Sequence, residues 1–189
     1  AGDGTGEHPT QALLDLLVLW RRWGELAGRA VLIVGDVVHS RVARSNVHGL
    51  GALGAEVVLC GPRHLLPPAD GAPGVSRTED LDGALERCDA VMTLRIQRER
   101  LADGERALDP AAYREAYGLT EERVARLHPD VPVLHPGPFN REVEIDSGVA
   151  DGPRSLIWSQ VRAGVAVRMA VLEALAGSAT GPPDTPAGE

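Results

Sequence analysis

The chain has 189 residues, of which 43% are hydrophobic and only 3% aromatic, and its 27 acidic against 19 basic residues leave a net charge of -8. That length allows one domain with a core of Leu, Val and Ala, alone or with appendages. The acidic balance argues for a soluble protein and against a nucleic-acid-binding surface.

Every basic residue is Arg, with no Lys anywhere. A P-loop lysine and a Schiff-base lysine are therefore excluded, and any anion site must rest on Arg, backbone amides or helix ends. Cys60 and Cys88 lack metal-ligand spacing and border apolar runs, so they read as core thiols in a reducing, cytoplasmic setting. No signal peptide and no run of membrane-spanning length is visible. His39, His48 and His64 form no ligand pattern, and neither a metal nor a cofactor is expected.

The opening AGDGTGE leads straight into a helix and reads as an interior stretch of a longer protein. His8 and Pro9 start that helix, with Pro at its favoured first position. It runs to about Trp23, with Arg21 and Arg22 in its last turn and Gly24 beyond. Leu13, Leu14, Leu16, Leu17, Val18, Leu19 and Trp20 make it apolar on more than one face, which suits a helix wedged between two domains.

Residues 30–35 (AVLIVG) read as a buried strand, 36–54 as a polar loop and a helix, and 55–60 as a second strand, the spacing of a βαβ unit. Residues 61–74 are expected to be poorly ordered, and 77–87 to form a helix with Thr78 as its cap. A third strand spans 89–94 and ends in Arg95. Residues 95–120 are too long and polar for an ordinary connection, and such loops are usually functional. A short helix over 120–127 precedes a strand at 131–134, which Gly and Pro then break. The last helix, 155–176, is apolar on a wide arc (Ile157, Val161, Val165, Met169, Leu172), and the Gly/Pro-rich 177–189 reads as a disordered tail.

Alternating strands and helices imply an α/β fold, a doubly wound parallel sheet of Rossmann-like, three-layer α/β/α form. Ligands of such sheets bind outside the carboxyl ends of the strands. Three polar segments, 36–45, 95–100 and 135–144, each follow a strand and should converge there. Arg41 and Arg44 come from the first, and Arg95 and Gln97 from the second, with Arg98 and Arg100 behind them. Guanidinium forks match carboxylates bidentately, so Arg41 and Arg95 on opposite sides of a crevice could clamp a dicarboxylate. In the third segment, HPGPFNREVEI, two prolines and a glycine leave backbone carbonyls that no ladder uses, a row of acceptors suited to a carbamoyl amide. Asn140, Arg141 and Glu142 add polar contacts. His8 could be a helix cap, an exposed ring or a carbonyl polariser, with Gln11 one turn along reaching the same point. GDVVHS stands where a GxGxxG would lie, and no GxSxG elbow is present.

These stretches resemble the aspartate carbamoyltransferase family: AGDGTGEHPTQALLDL, GDVVHSRVARSN, LRIQRER, YGLT, HPGPFNREVEI and SLIWSQVRAGVAVRMAVL occur in family order over nearly the whole chain. Related ornithine enzymes share the HPxQ start but typically carry HCLP in place of HPGP and lack LRIQRER. The resemblance implies that His8 polarises the carbonyl of carbamoyl phosphate and that Gln11 and the backbone of Pro136, Gly137 and Pro138 hold its amide. Arg41 would bind the α-carboxylate of L-aspartate, and Arg95, supported by Gln97, the side-chain carboxylate. It further implies a bridging helix over 1–24, an L-aspartate-binding domain over 25–153 and a return helix over 154–176. The family's first domain, with its Ser-Thr-Arg-Thr phosphate loop and the Ser and Lys loop lent by a neighbouring subunit, has no counterpart here, so activity would need that half. Expected partners are the two substrates and, in the full-length protein, a homotrimer with or without regulatory or dihydroorotase chains. Two other classes remain open from the residues: a nicotinamide-dependent oxidoreductase and a non-catalytic binding or scaffolding domain.

Overall fold

The computed structural model describes residues 4, 6–68, 73–96 and 109–178. Among these residues five strands, β1 (Ala30–Val34), β2 (Glu56–Cys60), β3 (Val75–Thr78), β4 (Ala90–Thr93) and β5 (Val133–Leu134), form one parallel sheet in the order β3-β2-β1-β4-β5. The chain builds outward from β1 to β2 and β3, then returns to lay β4 and β5 on the other side. The connections leaving β1 and β4 therefore diverge, and the crevice outside their carboxyl ends is the topological switch point where open α/β sheets take ligands.

Among the described residues seven helices accompany the sheet: α1 (Pro9–Trp23), α2 (Arg41–Ala52), α3 (Leu81–Leu85), α4 (Pro110–Tyr117), α5 (Glu121–Arg126), α6 (Ser147–Ala150) and α7 (Ile157–Ser178). The central strands β1 and β4 are buried because helices cover both faces of the sheet, whereas the edge strand β3 is polar and partly exposed. Val31 and Ile33 of β1 join Leu19 of α1 and Ala43 and Leu50 of α2 in one core. Leu32 and Val34 point the other way, against Leu81 and Leu85 of α3, Leu127 beyond α5 and Val149 of α6. The expected three-layer α/β/α architecture is the observed one. α7 stands against α1 through Ala163, Val167, Leu14 and Val18. The edge of β5 is closed by the segment entering α7, where the Val133 N–H donates to the Arg154 carbonyl at 2.9 Å and the Leu156 N–H to the Val133 carbonyl at 2.8 Å. Cys60 and Cys88 are buried thiols, as expected, and burial pushes both up to about 12.

Three expectations need correction. The helix placed over 77–87 is a strand followed by a shorter helix. Val75–Thr78 pairs with the outer edge of β2, and α3 begins after Asp80, whose carboxylate caps it by accepting from the Gly83 N–H at 3.0 Å. Thr78 caps only the turn between them, accepting from the Asp80 N–H at 3.0 Å. In the stretch expected to be poorly ordered, residues 63–65 make a single 3-10 turn whose Leu65 is fully buried, and its carbonyl accepts from the N–H groups of Val37 and Val38 at 3.1 and 3.0 Å. The long polar connection contains α4, with Asp109 capping Ala111 and Tyr113 buried. Residues 97–108, and with them Gln97, Arg98 and Arg100, lie outside the described residues, as does the expected tail from 179 onward; 177 and 178 close α7. Among the described residues no helix is long and apolar enough to cross a membrane.

Candidate functional site

At the switch point lies a cleft of about 210 Å³ lined by His8, Gln11, Ser40, Arg41, Val42, Leu94, Arg95, Pro136, Gly137 and Pro138. The described parts of the three segments expected to converge, with Arg95 standing for the second, do so, and they meet the start of α1. Of the eight candidate residues, seven line this one cleft; the eighth, Gln97, lies outside the described residues.

Local chemistry sets each wall. Ser40 caps α2, its hydroxyl accepting from the Ala43 N–H at 3.1 Å, so Arg41 occupies the first helical position at the cleft rim. One arm of Arg41 is steadied by the Gly4 carbonyl at 2.8 Å. Arg44 faces elsewhere: it donates to the carbonyls of Gly6 at 2.8 Å and Val38 at 3.0 Å. Arg95 leaves the end of β4, whose course is fixed by the Leu94 N–H donating to Val34 at 2.8 Å. Behind Arg41, the buried Asp36 carboxylate accepts from the His39 N–H at 3.2 Å and lies 2.9 Å from the His39 Nδ1, which shapes the loop between β1 and α2.

His8 is not a side-chain cap. Its backbone N–H donates to the Ser45 hydroxyl at 2.8 Å, and that hydroxyl in turn donates to the Glu7 carboxylate. The ring is half-buried at the cleft, and its Nδ1 is buried with no partner among the described residues. Burial, followed by the positive charges of Arg41 and Arg168, holds the imidazole below its ordinary value. A neutral ring with one N–H suits the polarising of a carbonyl.

The Pro136–Pro138 turn is shaped from beneath by His135. That ring is buried against Phe139, its centroid 5.1 Å away, and its Nδ1 accepts from the Gly137 N–H at 2.9 Å. An acceptor at Nδ1 places the ring proton on Nε2, and burial lowers the imidazole to about 3. Gly137 has φ 61° and the Gly137–Pro138 peptide is cis. The polar residues that follow serve the turn itself. Asn140 donates twice to Glu144 (2.8 and 3.2 Å), Arg141 pairs with Asp151 (2.6 Å) and Glu142 accepts from the Ser147 N–H (3.0 Å).

One residue absent from the sequence-level candidates sits directly behind the cleft. Asp15 is fully buried one turn after Gln11. Its carboxylate accepts from Gln11 Nε2 at 3.0 Å, Asn46 Nδ2 at 2.9 Å and Gln160 Nε2 at 2.7 Å. Gln160 Oε1 in turn accepts from the His135 N–H at 3.0 Å. The signal was a lone carboxylate inside the apolar run LLDLL, where charge needs partners to be buried.

A cleft that offers two guanidinium groups, a neutral histidine, an amide and a turn with exposed carbonyls is built for a small, multiply hydrogen-bonding anion. Comparisons with known proteins agree on the family. Residues 27–175 match the family described as aspartate/ornithine carbamoyltransferase, Asp/Orn binding domain. The chain is 56% identical over 179 residues to an aspartate carbamoyltransferase catalytic subunit from Gemmatimonas aurantiaca, covering 94% of this chain and 55% of that protein. It is 57% identical over 175 residues to the corresponding subunit from Myxococcus xanthus, covering 92% and 58%. Its fold is similar to aspartate transcarbamoylase from Trypanosoma cruzi, solved in complex with carbamoyl aspartate and phosphate, with a TM-score of 0.77 at 30% identity over 89% of this chain and 56% of that one. The chain thus spans just over half the length of the curated relatives it matches. Through its Asp/Orn-binding domain, the chain belongs to the aspartate/ornithine carbamoyltransferase family.

Proposed function

We propose that this chain supplies the L-aspartate-binding half of an aspartate carbamoyltransferase. The reaction transfers the carbamoyl group of carbamoyl phosphate to the α-amine of L-aspartate, giving N-carbamoyl-L-aspartate and phosphate, a step of pyrimidine biosynthesis. The observation that carries this reading is the meeting of Arg41 and Arg95, delivered from two different strands, with His8, Gln11 and the Pro136–Pro138 turn in one cleft.

Arg41 binds the α-carboxylate and Arg95, with Gln97 in support, the side-chain carboxylate, which aims the amine at the carbamoyl carbon. His8, neutral because of its burial and its positive neighbours, donates its N–H to the carbonyl oxygen as negative charge gathers there. Gln11 and the carbonyls of Pro136, Gly137 and Pro138 receive the amide hydrogens. The C–N bond forms, the tetrahedral intermediate collapses as the C–O bond to phosphate breaks, and the proton lost by the attacking amine leaves with the phosphate. Among the described residues no group lining the cleft replaces the phosphate loop of the family's first domain, so transfer requires that half.

In the working enzyme, residues 1–24 and the helix over 154–176 bridge to the carbamoyl-phosphate half around the aspartate domain of 25–153. The assembly we propose is a cytoplasmic homotrimer, with or without regulatory or dihydroorotase chains; the buried, unoxidised cysteines suit a reducing compartment. The test is to mix this chain with a carbamoyl-phosphate-binding half and to measure carbamoyl aspartate. Product that requires both pieces and both substrates is expected. Two folded, associated pieces that yield none would overturn the reading.

A further inference from the structure

We infer that Asp15 is a positioning residue that fixes the carbamoyl-binding wall of the cleft. It does so by setting the direction of the Gln11 amide and the height of the Pro136–Pro138 turn through a single buried carboxylate. The inference rests on the carbamoyl-transfer reading above.

Gln11 has two ends and could present either to a ligand. Its Nε2 is engaged by Asp15 at 3.0 Å, which leaves Oε1 to meet a donor in the cleft. A carbamoyl amide brings N–H donors, so this is the useful orientation; an amide turned the other way would set donor against donor. The same carboxylate holds Gln160 Nε2 at 2.7 Å, which directs Gln160 Oε1 to the His135 N–H at 3.0 Å. His135 is the residue before the turn, and its ring accepts from the Gly137 N–H at 2.9 Å. An unbroken chain of hydrogen bonds therefore runs from Gln11 through Asp15, Gln160 and His135 to Gly137. Its two ends are the amide-binding groups of the cleft, on α1 and after β5. The third contact, Asn46 Nδ2 at 2.9 Å, anchors the carboxylate to α2, the helix that begins with Arg41.

The three groups that donate to Asp15, from α1, α2 and α7, are all uncharged amides. A carboxylate so placed is a costly way to hold three helices together, since apolar side chains of equal volume would do so at less desolvation cost. What apolar groups cannot do is impose a direction on an amide.

Asp15→Leu keeps about the same volume but removes the acceptor from all three donors, Gln11 and Gln160 on one carboxylate oxygen and Asn46 on the other. Side-chain amide NMR of the chain should show Gln11 and Gln160 shifted and the Gly137 backbone amide displaced, with the fold retained. In the transfer assay, the KM for carbamoyl phosphate should rise about tenfold or more while aspartate half-saturation stays within about twofold, because only the carbamoyl wall is misplaced. A purely structural network would lower thermal stability and weaken both substrates together, and that pattern would overturn the inference. Unmoved Gln11 and Gly137 resonances, or an unchanged KM for carbamoyl phosphate, would do the same. If Asp15→Leu does not fold, Gln160→Leu decides. It leaves Asp15 on Gln11 but cuts the branch to the turn, so Gly137 should move and the carbamoyl phosphate KM should rise; if neither changes, the inference falls. No transfer by the unsubstituted chain when assembled with a carbamoyl-phosphate-binding half would instead sink the carbamoyl-transfer reading itself.

Discussion

An ideal Cβ placed on Gly35 would stand 3.0 Å from the Leu94 carbonyl oxygen and 3.3 Å from the Tyr113 hydroxyl. Gly35 is the first residue beyond β1 and Leu94 the first beyond β4, so this contact is the floor of the switch-point crevice. Gly35 also holds φ 127°, a conformation that side chains rarely adopt. Gly35→Ala should therefore lower folding stability by about 1–3 kcal/mol through backbone strain alone, with the Leu94 contact adding to it. Urea unfolding measures this, and an unchanged midpoint would show that the crevice floor yields without cost.

Arg41→Ala and Arg95→Ala should each weaken L-aspartate use in the assembled enzyme. Each removes a charge-assisted contact to one carboxylate, an effect of about 2–4 kcal/mol on aspartate kcat/KM. Arg44→Ala provides the control. Its guanidinium serves the Gly6 and Val38 carbonyls, so it should leave aspartate saturation nearly unchanged. Equal losses in all three variants would remove the distinction drawn between these arginines.

Much of this could be read from the chain. The apolar runs at 30–34 and 56–60 announce parallel strands because burial on both faces leaves no polar alternation. Arg41 and Arg95 are legible because each lies in the polar segment that follows a buried apolar run. β3 was hidden because VSRT carries an arginine and two hydroxyl residues, and only pairing with the open edge of β2 makes it a strand. α4 was hidden in a polar stretch whose Asp109–Pro110 start signal carries little weight beside its length. Asp15 looked like one polar residue in an apolar helix. Its meaning depends on Gln160, 145 positions away, and no local pattern encodes that distance.

His8→Ala should lower turnover more than aspartate affinity, by about 2.7–4 kcal/mol, because its donor acts mainly on the charge of the transition state. The pH profile offers a second check. The His8 value lies below that of an ordinary histidine, so any loss of turnover from its protonation should come at a lower pH than an ordinary histidine would give. A histidine step near pH 7 that vanishes in His8→Ala would contradict the neutral-donor role.

Asp15 and His135 should oppose each other in the pH dependence of stability. His135 falls to about 3 in the fold, so between about 6.5 and 3 the unfolded chain binds a proton that the folded chain does not, and stability is lost as pH drops. Asp15 rises from 3.8 to about 6, so in that interval the folded chain binds a proton that the unfolded chain does not, and stability is lost as pH rises. Each slope is about 1.4 kcal/mol per pH unit, with opposite signs, so from pH 4 to 6 the two cancel. Asp15→Asn should expose the histidine slope, making stability climb by about 1.4 kcal/mol more per pH unit across that window than in the unsubstituted chain. Parallel pH curves for the two proteins, from urea unfolding at several pH values, would show that Asp15 does not titrate there.

Finally, this chain alone should be sticky and inactive. On α7 the side chains of Trp158, Val161, Val165, Met169, Leu172 and Leu175 are all exposed, Trp158 by 68%. Their spacing of three and four residues puts them on one stripe, while Gln160, Ala163 and Val167 are buried. Leu13 and Trp20 of α1 are exposed as well. A contiguous surface of this kind marks an interaction site or an aggregation liability. In the proposed enzyme the carbamoyl-phosphate half covers it; without that half, the chain should bind an apolar dye and sediment as more than a monomer. Adding the missing half should abolish dye binding and start carbamoyl transfer in the same titration, since one docking event buries the stripe and completes the cleft. Val165→Glu with Leu172→Glu should reduce dye binding by the isolated chain and also prevent rescue by the other half. A lone chain that is monomeric, ignores the dye and turns over both substrates would show that the stripe is ordinary surface and that the cleft needs no second half.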